Sequence, residues 1–264
     1  MIFEEKETAL IQLLQMRAET EKVLFLPRRT KQASRIYNLI ANHNKWKYWI
    51  DSSGHGAPPP DFYSDEFHIM MDVMRVDDHE RKNPKGKVFS PHKQHEREIY
   101  QELEQRGILS QFPNADVIIN GWSGLPTYED HNYTFYKKSF SRIIQKHIKH
   151  ISNYKKNHPG YKVVFFVYDE STAYFQSPFE VNKQYQHTPE EEWCGDPHLF
   201  YADPAFLNSF IGQGIDYLIW FTPYKQIISC DDEANIPKIC FFDLSQKHFV
   251  FKKYQENRME SAEL

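Results

Sequence analysis

This chain of 264 residues contains few cysteines and no long apolar run. Its three cysteines are Cys194, Cys230 and Cys240, an odd set without the spacing of paired metal ligands. This excludes a disulfide framework and a paired-cysteine zinc site. No stretch approaches the roughly 18 consecutive apolar residues that a membrane-spanning helix requires. We therefore expect a cytoplasmic chain that has no membrane partner.

The sequence also lacks the common motifs of nucleotide-binding proteins, zinc proteases and serine hydrolases. The chain has no GxGxxG, no GxxxxGK[ST] and no HExxH pattern. The tetrapeptide at 121–124, Gly-Trp-Ser-Gly, lacks the spacing of the GxSxG nucleophile turn. These absences remove the enzyme classes that such motifs identify, and they leave carboxylates and basic residues as the candidates for chemistry.

Acidic residues are absent from one long segment, between His131 and Tyr168. Eight cations occupy it, in a chain whose formal net charge is −4. The segment includes a predicted helix at 132–157, so a basic face opposite its apolar stripe suits a phosphate backbone. The candidate DNA- or RNA-binding residues are Lys138, Arg142, Lys146 and Lys149. The alternative, a solvated lysine-rich surface, stays open.

The apolar patterning predicts an α/β fold: a single domain over residues 1–255, with a mixed β-sheet flanked by helices, and a frayed tail at 256–264. Helices are predicted at 4–21, 30–42, 91–106, 132–157 and 204–212. Strands are predicted at 45–50, 68–76, 116–120, 162–168, 216–221 and 238–242, with 248–251 as a further candidate, and 23–26 is a short apolar run that Pro27 ends. A strand, a long helix and a strand in succession form a βαβ unit, so part of the sheet should be parallel. The stretch 171–197 reads as one long irregular loop.

The most informative stretch is the apolar run from His68 to Val76, because it contains one carboxylate, Asp72. A carboxylate inside a strand that is covered on both faces is costly unless it is paired, protonated or bound to a cation. Arg75 is the nearest candidate for an ion pair. Asp61 and Glu66 lie just upstream, so the second candidate is a divalent cation shared by several carboxylates.

A Pro-Asp pair followed by a short gap and an acidic strand resembles the PD-(D/E)XK nuclease superfamily, whose fold is restriction-endonuclease-like. Pro60 and Asp61 match the first element, and Asp72 matches the second acid. The resemblance extends over residues 28–121. The family's lysine, two residues after the second acid, is missing here, since that position is Met74.

The resemblance implies that Asp61 and Asp72 bind Mg2+ or Mn2+. If they do, we expect Glu66 or Asp169 to complete the shell and a nearby Lys or His to orient water. The sequence is therefore consistent with two functions. The first is a divergent metal-dependent nuclease or a nuclease-like nucleic-acid-binding protein. The second is a non-enzymatic protein-interaction module, in which aromatic side chains and the loop 171–197 bind a protein partner.

Overall fold

A computed structural model describes residues 7–53, 60–78, 81–82, 88–89, 91–111, 131–180, 195–225 and 236–262. Seven strands form one mixed sheet in the order β1-β11-β10-β7-β4-β3-β2. These strands are β1 (Val23–Leu26), β2 (Ile50–Asp51), β3 (Phe62–Ser64), β4 (Ile69–Val76), β7 (Lys162–Asp169), β10 (Tyr217–Phe221) and β11 (Ile239–Asp243). Helices flank this sheet, so the α/β fold that the sequence predicts is confirmed.

The three central strands explain the apolar runs in the sequence. Strand β7 pairs in parallel with β4 on one side and with β10 on the other. Parallel strands are covered by helices on both faces, so nearly every one of their side chains is buried. Strand β11 then runs antiparallel to β10, and β1 returns parallel to β11.

One face of the sheet is covered by two helices from the start of the chain, α1 (Glu7–Ala18) and α2 (Lys31–Ala41). Helix α2 begins where predicted, because the side chain of Thr30 accepts a hydrogen bond from the backbone N–H of Ala33. Its buried residues Ile36 and Ile40 pack in the same cluster as Met71 and Val73 of β4.

The opposite face is covered by α5 (Tyr133–Ile148) and α6 (Ile151–Asn157). The sequence predicts one helix over 132–157, whereas the structure has a turn at residues 149–150 between two helices. Both helices bury one stripe, so α5 contributes Phe140 and α6 contributes Tyr154 to a cluster with Met70 and Met74 of β4. Alternate residues of β4 therefore face alternate helix layers.

The predicted strand 45–50 is wrong for most of its length. Residues His43–Tyr48 form a 3-10 helix, in which the Asn42 side chain accepts a hydrogen bond from the N–H of Asn44. Trp46 stacks on Trp49 at 5.2 Å between ring centroids. The alternating large side chains therefore belong to a capped 3-10 helix, and only β2, at the end of the predicted strand, is extended.

The remaining elements lie around the main sheet. Strand β8 (Tyr174–Gln176) pairs with β9 (Asp196–Pro197) and β12 (Met259–Ser261) in a three-stranded sheet. Strands β5 (Arg81–Lys82) and β6 (Val88–Phe89) pair with each other. The other helices are α3 (Pro91–Gln105), α4 (Ile108–Gln111) and α7 (Pro204–Leu207), and short 3-10 helices lie at Phe200–Ala202 and Glu256–Arg258.

Two predicted irregular regions contain strands instead. Strands β8 and β9 lie within the stretch 171–197, and β12 lies within the predicted tail, where Met259 is buried against the core. The predicted strand 248–251 has no strand pairing, and the predicted strand 116–120 falls outside the described residues. Across the described part of the chain, none of the helices combines the length and apolar character needed to cross a membrane.

Candidate functional site

Asp72 lies in the middle of β4 on the side of the sheet that α5 and α6 cover, and it is only 3% exposed. Its Oδ2 atom is 2.7 Å from Nδ1 of His147, on α5. The same oxygen accepts a hydrogen bond of 3.1 Å from the hydroxyl of Tyr154, on α6. The buried carboxylate therefore joins the central strand to both covering helices.

Asp61 comes directly before β3 and lies opposite Asp72, because the register pairs the next residue, Phe62, with Met71. The two carboxyl groups are within hydrogen-bond reach of each other. The Oδ2 atom of Asp61 also accepts a hydrogen bond of 2.7 Å from the backbone N–H of Val73. The antiparallel pairing of β3 and β4 thus brings together two carboxylates that are 11 residues apart in the sequence.

Burial and the neighbouring charge of Asp72 raise the pKa of Asp61 to about 8. The hydrogen bond from Val73 acts in the opposite direction, and it is outweighed. Two like charges in contact are costly to retain at a buried site, so Asp61 keeps its proton near neutral pH. The pair therefore does not hold two full negative charges near neutral pH, and His147 is the basic side chain that lies against it.

Arg75 is not the companion of Asp72. It points to the other face of β4, because it is three residues further along a strand with a two-residue period. There it forms a bidentate ion pair with Glu170, at 2.7 Å and 3.3 Å. The alternative that Arg75 neutralises Asp72 is therefore wrong, and the charge of Arg75 is matched by Glu170, directly after β7.

Two other acids from the sequence are not brought to the pair. Glu66 is exposed in the turn between β3 and β4, which lies at the far end of this hairpin from Asp61. Asp169 ends β7 four pairing positions beyond the level of Asp72, where it accepts a hydrogen bond of 2.6 Å from Tyr136. Neither side chain completes a cation shell with Asp61 and Asp72 in the described structure.

As a cation site, the pair would offer only its own carboxylate oxygens. Among the described residues, no three His, Cys, Asp or Glu side chains are grouped so as to hold a metal ion. Mg2+ usually keeps several waters, however, and is bound in proteins through one or two carboxylates together with substrate phosphates. Two carboxyl groups are enough for such a site. A divalent cation could replace the proton that Asp61 retains, because it would neutralise the charge of both carboxylates.

The predicted nucleic-acid-binding side chains lie on the outer surface of α5 and the turn that follows it. Lys138, Arg142, Lys146 and Lys149 are all exposed. Other cations of the acid-free segment are neutralised, since Lys137 pairs with Glu256 and Lys162 with Asp216. His147 follows Lys146 directly, so the helix that presents this basic stripe also contacts Asp72.

His147 and Tyr154 are the site residues that the sequence does not single out. Both belong to the stripe of α5 and α6 that faces the sheet, where the sequence predicts apolar packing. A histidine in an otherwise apolar stripe was the available signal, because a buried imidazole needs a polar partner. That partner is 75 residues away in the sequence.

Comparisons of the chain with protein-family models, with curated proteins and with solved structures gave no match. The interpretation of the site therefore depends on its own geometry and charge.

Tyr154→Phe tests how strongly Asp72 holds α6. The change removes the hydroxyl that donates to the buried carboxylate, and such charge-assisted bonds stabilise by about 1.5–3 kcal/mol. We expect a loss of about that size in the free energy of unfolding, measured by urea denaturation. Tyr161→Phe is the matched control, because Tyr161 donates at 2.6 Å to the exposed Asp65. Equal losses in the two variants would contradict a special role for the Asp72 contact.

Proposed function

We propose that this protein is a divergent metal-dependent nuclease, in which Asp61 and Asp72 hold Mg2+ or Mn2+ and the basic stripe of α5 contacts the nucleic-acid backbone. The observation that carries the proposal is the meeting of two carboxylates on the sheet face beneath that helix. The resemblance to the PD-(D/E)XK superfamily supports the same assignment through the Pro-Asp pair and the acidic strand.

The chain's own residues would prepare this site by holding both carboxylates in place. Asp61 is fixed by the N–H of Val73, and Asp72 is fixed by Tyr154 and His147, so the carboxylates do not have to be ordered when a cation binds. Binding would release the proton that Asp61 retains near neutral pH. When bound, the cation polarises a phosphoryl oxygen and lowers the pKa of its water.

Water activation would differ from the family's scheme. The position of its lysine is occupied by Met74, which is 2% exposed and packs against α5 and α6. His147 is the residue that we assign to orienting water, because it lies against Asp72 and its side chain remains 21% exposed. In this site His147 of α5 would therefore take the role that the family assigns to a lysine on the strand.

The basic stripe has a spacing that suits a polyanion. Lys138, Arg142 and Lys146 follow at intervals of four residues, which places them about 6 Å apart along the helix axis. Lys149 continues the stripe into the turn after α5. These side chains extend into solvent, so they would provide affinity that does not depend on sequence and that weakens with salt.

The test combines binding and cleavage. We expect Mg2+ or Mn2+ to raise the unfolding midpoint, because a ligand that binds only the native state stabilises it. We also expect metal-dependent cleavage of single-stranded or plasmid DNA or of RNA. Asp72→Asn should abolish both effects, and Lys146→Gln with Lys149→Gln should reduce the salt dependence of nucleic-acid binding.

Asp65→Asn is the matched control for the loss of one carboxylate, because Asp65 is exposed in the turn after β3. It should retain the metal response and the cleavage. Absence of any metal-dependent shift and of any salt-sensitive DNA or RNA binding would end the nuclease proposal.

A non-enzymatic protein-interaction module remains the second candidate, and one observation favours it. Phe179, within the predicted loop 171–197, is 76% exposed, and Val250 is 86% exposed. Exposed apolar side chains of this size are a common feature of protein interfaces. A module of this kind would bind a protein through these side chains, and its carboxyl pair would serve only to anchor α5 and α6. It would show no thermal response to Mg2+ or Mn2+.

A further inference from the structure

A second segment of the chain is free of acidic residues, and it lies on the other face of the sheet. Between Glu21 and Asp51 there are seven Lys or Arg residues and no Asp or Glu. The segment contains β1 and α2, which belong to the side of the sheet away from the Asp61–Asp72 pair. Its charge is therefore separate from the basic stripe on α5.

Part of this charge lines a groove at the start of α2. The groove has a volume of about 670 Å³ and is lined by Arg29, Thr30, Lys31, Ser34, Arg35 and Asn38. Three of these side chains are cations, and the others are hydroxyls and an amide. Among the described residues that line it, none is a carboxylate or an aromatic ring.

The guanidinium of Arg29 is held in place before any ligand arrives. Its Nε donates a hydrogen bond of 3.0 Å to the hydroxyl of Ser34. Its central carbon lies 5.1 Å from the centroid of the Phe25 ring. An ordered guanidinium loses less conformational freedom on binding, and its planar fork matches the oxygens of a phosphate.

The groove also concentrates like charge. Lys31 and Arg35 are four residues apart on α2, where two cations repel each other by a few tenths of a kcal/mol. Within the described ranges, no carboxylate forms an ion pair with Arg29, Lys31 or Arg35. By contrast, Lys137 on α5, which covers the other face, has one. An anionic ligand would relieve this repulsion.

We propose that the groove formed by Arg29, Lys31 and Arg35 binds an oligophosphate group. Three cations exceed what a single phosphate needs, and two guanidinium forks favour phosphate oxygens. The absence of an aromatic ring from the lining means that recognition is directed at the phosphates and not at a stacked base. The site lies on the opposite face from the Asp61–Asp72 pair, so it does not depend on the nuclease proposal.

Calorimetric titration of the full chain with inorganic triphosphate, at constant ionic strength, tests this proposal. We expect saturable binding to the unmodified protein. Arg35→Gln should weaken it by about tenfold or more, as expected for the loss of a charge-assisted hydrogen bond. Arg28→Gln is the matched control, because Arg28 is exposed next to the groove but does not line it. It removes the same charge and should change the affinity less than threefold.

A second readout separates ligand loss from misfolding. Arg35→Gln should unfold at the same temperature as the unmodified protein or slightly above it, since the change relieves a like-charge contact. Adenosine triphosphate distinguishes the source of the phosphates: affinity equal to that of inorganic triphosphate indicates recognition of the phosphates alone, and tighter binding indicates a nucleotide. No saturable binding at millimolar triphosphate, equal weakening by Arg28→Gln, or equally tight binding of sulfate would overturn the proposal.

Discussion

Asp169→Ala is expected to lower the free energy of unfolding by about 3–5 kcal/mol, the cost of removing the carboxylate from a buried ion pair. The cation of this pair is the ammonium of Lys225, which is 2% exposed and lies 3.4 Å from Oδ2 of Asp169. The same carboxylate accepts hydrogen bonds from Tyr136 at 2.6 Å and from Trp220 at 2.8 Å. These donors come from α5 and β10, so one side chain joins three elements of the core.

Urea denaturation measures this loss, and two other variants make it specific. Asp196→Ala removes an exposed carboxylate that lies 3.3 Å from Lys252, and it should cost less than about 1 kcal/mol. Asp169→Asn preserves the shape and one acceptor oxygen, so its cost should lie between the two. If Asp169→Ala lowered the free energy of unfolding no more than Asp196→Ala, the buried contact with Lys225 would not stabilise the fold as we expect.

Asp61→Asn is expected to stabilise the metal-free protein above pH 8, by about 1–3 kcal/mol relative to the unmodified chain. Asparagine reproduces the protonated carboxyl, because its oxygen still accepts from Val73 and its amide can donate to Asp72. The repulsion between two carboxylates is then removed at every pH. The same substitution deletes a proposed ligand, so the stabilised variant should lose the response to Mg2+.

The effect of Asp61→Asn on the free energy of unfolding depends on pH, because the Asp61 carboxyl titrates differently in the folded and unfolded chains. The folded pKa of Asp61, about 8, is above the ordinary value of 3.8 that applies to the unfolded chain. The folded state therefore holds the proton more tightly, and the stability that this proton provides is fully present below about pH 4. It is lost progressively as the pH rises to 8. The difference between Asp61→Asn and the unmodified protein should thus grow over the same interval.

Stability curves recorded from pH 4 to pH 9 test this expectation, with Asp65→Asn as the control for removing one acidic group. The control should follow the unmodified protein, because Asp65 is exposed and away from Asp72. If Asp61→Asn were destabilising at pH 9 in the absence of metal, the two carboxyls would not be competing for one proton. The premise of the cation site would then be lost.

Much of the architecture follows from the sequence. The apolar runs at 68–76, 162–168 and 216–221 predict strands that are covered on both faces, and these strands are the centre of the sheet. Thr30 and the apolar period of the following residues predict α2 within a residue at each end. These features are local, because hydrophobic periodicity and capping depend on residues a few positions apart.

The short strands could not be predicted in the same way. Strand β3 has three residues and β12 also has three, too few for a periodic signal. Strands of this length are stabilised by their partners and not by their own preference. The 3-10 helix at His43–Tyr48 shows the converse, since its alternating large residues resemble a strand until the cap at Asn42 is taken into account.

What the sequence alone determined is that a carboxylate, Asp72, is buried in a central strand and needs a companion. Only the tertiary structure decided which companion it has. The pleat of β4 turns Arg75 to the other face, the register with β3 brings Asp61 opposite, and the packing of α5 brings His147 from far along the chain. Register and helix packing are set by contacts between distant segments, so no local pattern encodes them.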